Sequence, residues 1–579
     1  MKQNLLRYAG LMAVLGSAAS AQTVVSSNIT ADTQWTTAGS PYILQGIIYV
    51  TGGATLDIAS GVIVRGQPKS DTTATDPGTL IISRGSKIQA RGTSGSPVIF
   101  TTAALDAGKV AGGAATGIAY DGVDANTVPD RWTAGDGLNN FLDQNPLNTP
   151  LAPVNSLGKS NSALWGSLVL LGNASVNASV DSITDGIGAP NNTKVDGIAY
   201  LEGQNTTFFN EYGKITHTYD VGTSTYTDVT DVVNDDDSSG FLNYVSLRHG
   251  GFELTTGKEL NGLTLAGVGR NTTVRNIEIY CNSDDGIEVF GGTVNLSYCV
   301  ISFVEDDGFD LDQGHRGTAQ FIYVAHGLKG ANTSFSSDPR GMELDGDDNN
   351  DANGQSVSTD GKPNQNSIIY NATVQTNGQR GIVIRRGFRG EIVNSIVAQN
   401  GTVAETGIQI DTTNTNTGAT GNTPTPYAPL SYGDRYINIR NTTINGYSTM
   451  SSQVTVTPTV TTVPNFNAST AFTPHTNAGT TGFTGVQGAL FPNTSNSINT
   501  ADMLPISYTA NGFNPRPGAG AGTPNSLATG TAQNAAYVKF PAVATSYRGA
   551  FNGSSTTLWT TGWTAINKTN TDGIKVLVD

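Results

Sequence analysis

The sequence predicts an all-β chain wound as a single-stranded parallel β-helix, a solenoid with long loop insertions and an irregular C-terminal region. Three observations predict it. Helical periodicity is almost absent, and β-rich runs of four to eight residues recur between Gly, Asn, Asp and Ser. Segments in the middle of the chain overlay: NGLTLAGVG at 261–269, DDGIEVFGG at 284–292 and DDGFDLDQG at 306–314, with Gly262, Gly286 and Gly308 spaced 24 and then 22 residues apart. A self-similar period of that length with two or three strands marks a solenoid. Within each run the residues after the glycine alternate, apolar then polar. The competing architectures are a β-sandwich and a β-propeller; a propeller repeat of about 40–45 residues fits these spacings poorly.

A four-residue strand buries too little to stand alone. Stacked about 4.8 Å from like neighbours it pairs on both edges and buries its inward side chains against the rungs above and below. Ile287 and Val289, Phe309 and Leu311, Met342 and Leu344, Ile382 and Ile384, and Ile408 and Ile410 are expected to face in. Glu288, Asp310, Glu343, Val383 and Gln409 are expected to face out as one vertical stripe. A second strand family interleaves: FLNYVSL (241–247), VRNIEIY (274–280), VNLSYCVI (294–301), AQFIYVA (319–325) and EIVNSIV (391–397).

In chain order, Lys2 and Arg7, the apolar stretch Ala9–Ala19 and the Ala19-Ser20-Ala21 site read as a signal peptide over 1–21. Its removal takes the formal charge from −15 to −17. Strand runs open at 43–50, 55–58 and 62–64, continue at 79–82, 87–90 and 98–100, and resume at 164–171. The solenoid is assigned to 22–411, with insertions at about 104–160 and 203–237. Residues 412–579 read as a Thr/Asn/Gly/Pro-rich extension of the solenoid with one more strand run at 436–444. Its aromatic end segment and the N-terminal Thr/Ser segment are expected to cap the solenoid's open ends. No later segment holds 18 uninterrupted apolar residues, so no membrane span is expected.

Composition narrows the function. Only 13% of the 579 residues are charged against roughly 25% in ordinary soluble proteins, so Thr, Ser, Asn and Gly must build the surface. An excess of 46 acidic over 31 basic residues argues against nucleic acid and anionic lipid as partners. Two cysteines cannot staple a chain of this length. Cys281 and Cys299 lie in one strand family with matching inward parity. Laying Cys299 over Ile279 puts the two Cα atoms about 8 Å apart, beyond the roughly 7 Å reach of a disulfide, whereas an oxidising compartment favours a bond. The pairing stays open.

The segments ELNGLTLAGVG, DDGIEVFGGTVN, DDGFDLDQGHRG and YRGAFNGSSTTLWTTGWT resemble a family of secreted bacterial proteins with a right-handed, pectin-lyase-like parallel β-helix. The resemblance covers nearly the whole mature chain. It implies the fold and an envelope or extracellular address, and carries no defined activity. Where relatives tend to hold FDWxxGWRG this chain has FDLDQGHRG, so any role of His315 is particular to it.

The acidic stripe is the strongest candidate for chemistry. Two carboxylates about 4.8 Å apart repel by roughly 1 kcal/mol in water and about 3.5 kcal/mol at an effective dielectric near 20, so the stack needs a cation, an interleaved Arg or protons. Calcium with oxygen ligands is the hard-cation answer, the expected ligands being Glu288, Asp310, Glu343, Asp345, Asp347 and Asp351, the last two in the loop DGDDNNDANG. The plainer alternative is turn aspartates capping backbone N–H groups. The resemblance also brings in polygalacturonase-type enzymes. Their carboxylates would map onto Asp284, Asp306 and Asp307, but His315 arrives too early and lacks the following Gly. A lyase would use Arg385, within the cluster Arg380, Arg385, Arg386 and Arg389, as its base; the simpler role of those guanidiniums is neutralising nearby acids. The expected protein is thus an exported cell-surface, outer-envelope, extracellular or periplasmic module, structural or glycan-binding and adhesin-like. Its expected partners are polysaccharide or other envelope subunits, with Ca2+ as stiffener and no organic cofactor. The alternative is a calcium-dependent polysaccharide lyase or glycoside hydrolase.

Overall fold

The computed structural model describes residues 22–68, 76–103, 162–180, 195–204, 208–220, 225–255, 258–327, 339–346, 355–356, 362–363, 365–386, 388, 390–411, 437–440, 442–454, 497–498, 507–509, 512–516, 543, 545 and 547–567. Residues 1–21, read above as a signal peptide, the 104–160 insertion, Asp347, Asp351 and Arg389 lie outside them.

The chain forms a right-handed parallel β-helix of three sheets. The first stacks Ile47–Val50, Thr79–Ile82, Leu168–Leu171, Leu263–Ala266, Ile287–Phe290, Phe309–Asp312, Arg340–Asp345, Arg380–Arg385 and the end of Ile396–Asp411. The second and third come from the interleaved family. Each long strand there, such as Thr273–Tyr280 or Asn295–Ser302, is bent in the middle, its first half pairing in the second sheet and its last half in the third. The bend is one residue with positive φ per rung: Tyr244, Asn276, Tyr298, Phe321, Asn371 and Asn394. A left-handed residue turns the chain by about a corner without a loop, and Asn tolerates it better than Tyr or Phe.

The predicted inward residues form one continuous core, Ile287, Val289, Phe309, Leu311, Met342, Leu344, Ile382, Ile384 and Ile408 among them, joined by Leu296, Cys299, Ile301 and Val324 from the other two sheets. The aligned glycines stack as expected. A Cβ on Gly286 would run into Ile301 and the carbonyl of Gly308, and one on Gly308 into Val324 and the carbonyl of Gly341. The third sheet presses on the first at that corner, and only hydrogen fits.

Three expectations need correction. Cys299 pairs with Ile277, not Ile279. The left-handed Asn276, Tyr298 and Cys281 break the simple alternation, so Cys299 enters the core whereas Cys281 lies outside the third sheet among Tyr280, Val300 and Phe303. Both thiols are free and buried. The excursion placed at 203–237 begins earlier: after Leu171 the chain builds antiparallel pairs Ser179–Val180 with Val195–Asp196, Ile198–Tyr200 with Glu211–Gly213, and Ile215–Asp220 with Thr225–Val232, and regains the solenoid at Gly240. Among the described residues, the aromatic end segment does not cover an end of the solenoid. It runs along the side of the solenoid, with Ala550, Phe551, Leu558, Ala565 and Ile566 packed on Tyr280, Val300 and Tyr323. Rungs continue past 411 in Ile437–Arg440, Thr443–Val454 and Ser497–Ile498.

Candidate functional site

The outward face of the first sheet carries three parallel columns. One reads Thr264, Glu288, Asp310, Glu343, Val383 and Gln409, each opposite the next in strict register. The residues just before the glycine ladder form a second: Asn261, Asp285, Asp307, Arg340 and Arg380. A third reads Ala266, Phe290, Asp312, then Asp345 and Arg385 on the later rungs. The expected stripe therefore exists, and it changes sign along its length.

Outward does not mean exposed. Glu288 and Asp310 keep 8% of their surface and Glu343 keeps 5%. The excursion that leaves at Leu171 folds back over this sheet, setting Val176, Ala178, Ala199, Leu201 and Tyr212 on Ile81, Val169, Ala266 and Phe290. The hairpin of Glu253–Thr255 and Lys258–Glu259 adds Leu254 and Leu260 to this roof. Glu202 and Lys258 pair across it at 2.5 Å. Arg84 and Glu211 pin its far side as a fully buried pair at 2.6 Å.

At the Arg-bearing end the acids are neutralised. Glu343 meets Arg340 at 2.5 Å and also contacts Arg385. Asp345 accepts from Arg385 Nε at 2.8 Å and from Arg386 at 2.8 Å. Asp307 accepts from the Arg340 guanidinium at 3.0 Å and caps the Arg340 backbone N–H, while Asp285 caps the N–H of Asp307 at 2.8 Å. The capping role and the internal pairing of arginines are thus both present. Arg385, the candidate base, is held by its acids: burial works against its charge, but Asp345 and Glu343 outweigh it and raise its pKa.

The other end lacks such compensation. Asp284, Asp285, Glu288 and Asp310 have no basic partner among the described residues. Asn261 donates its amide to Glu288. Asp310 Oδ1 and Asn261 Oδ1 are buried without a hydrogen-bond partner. Burial first, and then the neighbouring carboxylates, push the pKa values of all four acids well above the ordinary range. Asp307 is raised to about 7 by burial and Asp306, with Arg340 opposing. Oxygens of Asp284, Asp285 and Asp306 lie within 4.8 Å of one another, as do those of Asp285, Glu288 and Asp310, and those of Asp307, Asp310 and Glu343. Three carboxylates so spaced can share protons or surround a divalent cation through oxygens 2.3–2.6 Å from it.

The expected ligands thus divide. Asp310 comes together with Glu288 in one group and with Glu343 in another, whereas Asp345 is consumed by two arginines. Asp284 and Asp306 sit half-buried at the margin of the cluster. His315 is elsewhere, fully buried, with Nδ1 against Ser367 Oγ at 2.7 Å and Nε2–H donating to the Val294 carbonyl at 2.9 Å. Both ring nitrogens are used, and burial lowers its pKa to about 4. The ligand set read from the stripe omitted Asp285, Asp307 and Asn261. The glycine ladder could have supplied them, since a residue preceding each aligned glycine must stack like the glycines themselves.

The family model described as pectate-lyase like beta helix domain matches residues 27–122 and 197–485. No curated protein matches the chain.

Proposed function

Because the chain belongs to the pectate-lyase like beta helix domain family, and its acidic face is roofed, we propose that it is a non-catalytic exported module, structural or glycan-binding, whose solenoid is stiffened by calcium. The observation that carries this reading is the unneutralised group Asp285, Glu288 and Asp310 beneath the roof, with Asp284 half-buried at its margin. A buried carboxylate without a counter-charge is costly, and a cation drawing on Asp285, Glu288 and Asp310, with the orphaned oxygens of Asp310 and Asn261, removes the cost at two rungs at once. Asp345 is not among the proposed ligands. An address at the cell surface, in the envelope or outside the cell rests on the leader at 1–21, and a glycan-binding surface on the Thr- and Asn-rich, charge-poor composition.

The second reading, a calcium-dependent lyase or hydrolase, draws on the half-buried Asp284 and Asp306. Two features oppose it. Their nearest oxygens lie within 4.8 Å, which argues against an inverting pair, whose carboxyl groups stand about 6.5–9.5 Å apart to hold a water, but not against a retaining pair at about 5–5.5 Å. Arg385 is locked to two acids and is not free to take a proton.

Calcium removal tests the proposal. Protein treated with EDTA is expected to melt several degrees lower at pH 8 and to recover on adding Ca2+; at a free concentration a hundred times Kd the gain is about 2.7 kcal/mol. An unchanged melt together with no calcium heat by titration calorimetry would discard the cation. Release of unsaturated or reducing ends from polyuronates would replace the non-catalytic reading with the enzymatic one, whereas binding on a glycan array without turnover would support the non-catalytic reading.

A further inference from the structure

A solenoid is bound mainly rung to rung, so its stability is roughly a sum of nearest-neighbour terms and its ends can open independently. This chain breaks that rule on one wall. After the late rungs, residues 543, 545 and 547–567 come back along the corner where the second and third sheets meet, and they contact rungs that are far apart in sequence. Arg548 donates to Thr443 at 2.7 Å, and the Gly549 N–H donates to the Asn394 carbonyl at 2.7 Å. Asn371 donates to the Tyr547 carbonyl at 2.9 Å, and Thr373 accepts from the Ala550 N–H at 2.8 Å. Gln320 pairs with both backbone groups of Val543, at 2.7 and 2.8 Å.

The aromatic residues at the left-handed corner serve as successive contact points. Tyr547 stacks on Phe321, Trp559 meets Tyr298 edge-on at 5.4 Å, and Trp563 meets Tyr244 edge-on at 5.4 Å. Beyond them, Gly562 passes close to the Ser94 carbonyl. The segment ends on Glu278, fully buried, whose two oxygens accept from the Ala565 N–H at 2.7 Å and the Ile566 N–H at 3.1 Å. Ser246 donates to the same carboxylate at 2.6 Å, and Arg248 stands 3.9 Å away. Carboxylate acceptors of backbone N–H make stronger hydrogen bonds than neutral ones. From Thr443 to Ser94 the segment crosses seven rung intervals, about 34 Å at the usual strand spacing.

We propose that this C-terminal segment is a latch that couples early and late rungs into one cooperative unit, with Glu278 as its keeper. The late rungs cannot fray without pulling Arg548 and Gly549 off Thr443 and Asn394, and the latch cannot leave without emptying the aromatic row down to Tyr244. The segment thus supplies the long-range coupling that stacking alone does not.

The test is hydrogen exchange read by mass spectrometry along a guanidinium titration of the full-length protein, comparing wild type with Trp559→Ala/Trp563→Ala and with Glu278→Gln. The wild type is expected to lose protection at rungs 79–102, 240–302, 390–411 and 437–454 in one step. In the latch variants, 390–411 and 437–454 are expected to exchange at least tenfold faster in low denaturant while 79–102 is unchanged, splitting the transition in two. Glu278→Gln preserves the size of the side chain and provides the comparison should the double variant fail to fold. A single step in the variants, with all rungs shifted together, would overturn the latch, as would two steps in the wild type.

Discussion

Asp310 is the residue on which the acidic column turns. Its neighbours in register are Glu288 on one side and Glu343 on the other, and only Glu343 is neutralised by arginines. Asp310 holds no base of its own, and one oxygen is buried without a partner. Asp310→Asn keeps the shape and removes one like charge. At pH 8 without calcium this substitution is expected to stabilise the protein by about 1–4 kcal/mol, the repulsion of two charges 4–5 Å apart across effective dielectrics from 80 to 20. In calcium it is expected to abolish the thermal response, since the shared ligand is gone. Melting curves of the two proteins with EDTA and with Ca2+ read both effects. A variant that melts lower without calcium and still responds to it would show that Asp310 is held by something other than repulsion and a cation.

Among the elements, the strands of the first sheet were legible because each is short, opens on a glycine and alternates strictly. That pattern was enough to place Glu288, Asp310 and Glu343 on one line and Met342, Leu344, Ile382 and Ile384 in the core. The bent strands were less legible. A single left-handed residue, Asn276 or Tyr298, resets the alternation without any insertion that a repeat would show, and so Cys281 was placed inside with Cys299 when it lies outside. The roof was not legible at all: Leu254, Leu260 and Tyr212 reach Phe290 and Ala266 from segments with no repeat register, and no local pattern says which wall such a segment will cover. The consequence for the cysteines is direct. With Cys299 in the core and Cys281 against Phe303 and the returning C-terminal segment, no disulfide links them. Alkylation of the native, unreduced protein is expected to be negligible, and alkylation after denaturation without reductant to add two labels. A single mass corresponding to no label under denaturing, non-reducing conditions would show that the strands slip far enough to bond.

Taken whole, the molecule carries a formal charge of −15 and still buries acids that face one another. Because burial and like charges raise the pKa values of Asp284, Asp285, Glu288, Asp310 and Glu343, and bring Asp307 to about 7, the folded chain binds protons that the unfolded chain releases. Stability from this source is complete below the ordinary carboxylate range and is lost as pH rises through the folded values, at about 1.4 kcal/mol per proton for each pH unit. His315 and His326 act in the opposite sense. Burial lowers both to about 4, so their contribution is complete above about 6.5 and is lost as pH falls toward 4. Between pH 6.5 and 8 these two histidines are silent and the raised acids carry the slope. Calcium-free protein is therefore expected to melt at progressively lower temperature across that window. Saturating calcium should flatten the slope, because the cation takes the place of the protons. Binding at pH 6.5 should then release protons, seen as a calorimetric heat that scales with the ionisation enthalpy of the buffer. A melting temperature that is flat from pH 6.5 to 8 without calcium would mean that the column carries no excess negative charge to relieve. The cation would then have no reason to bind.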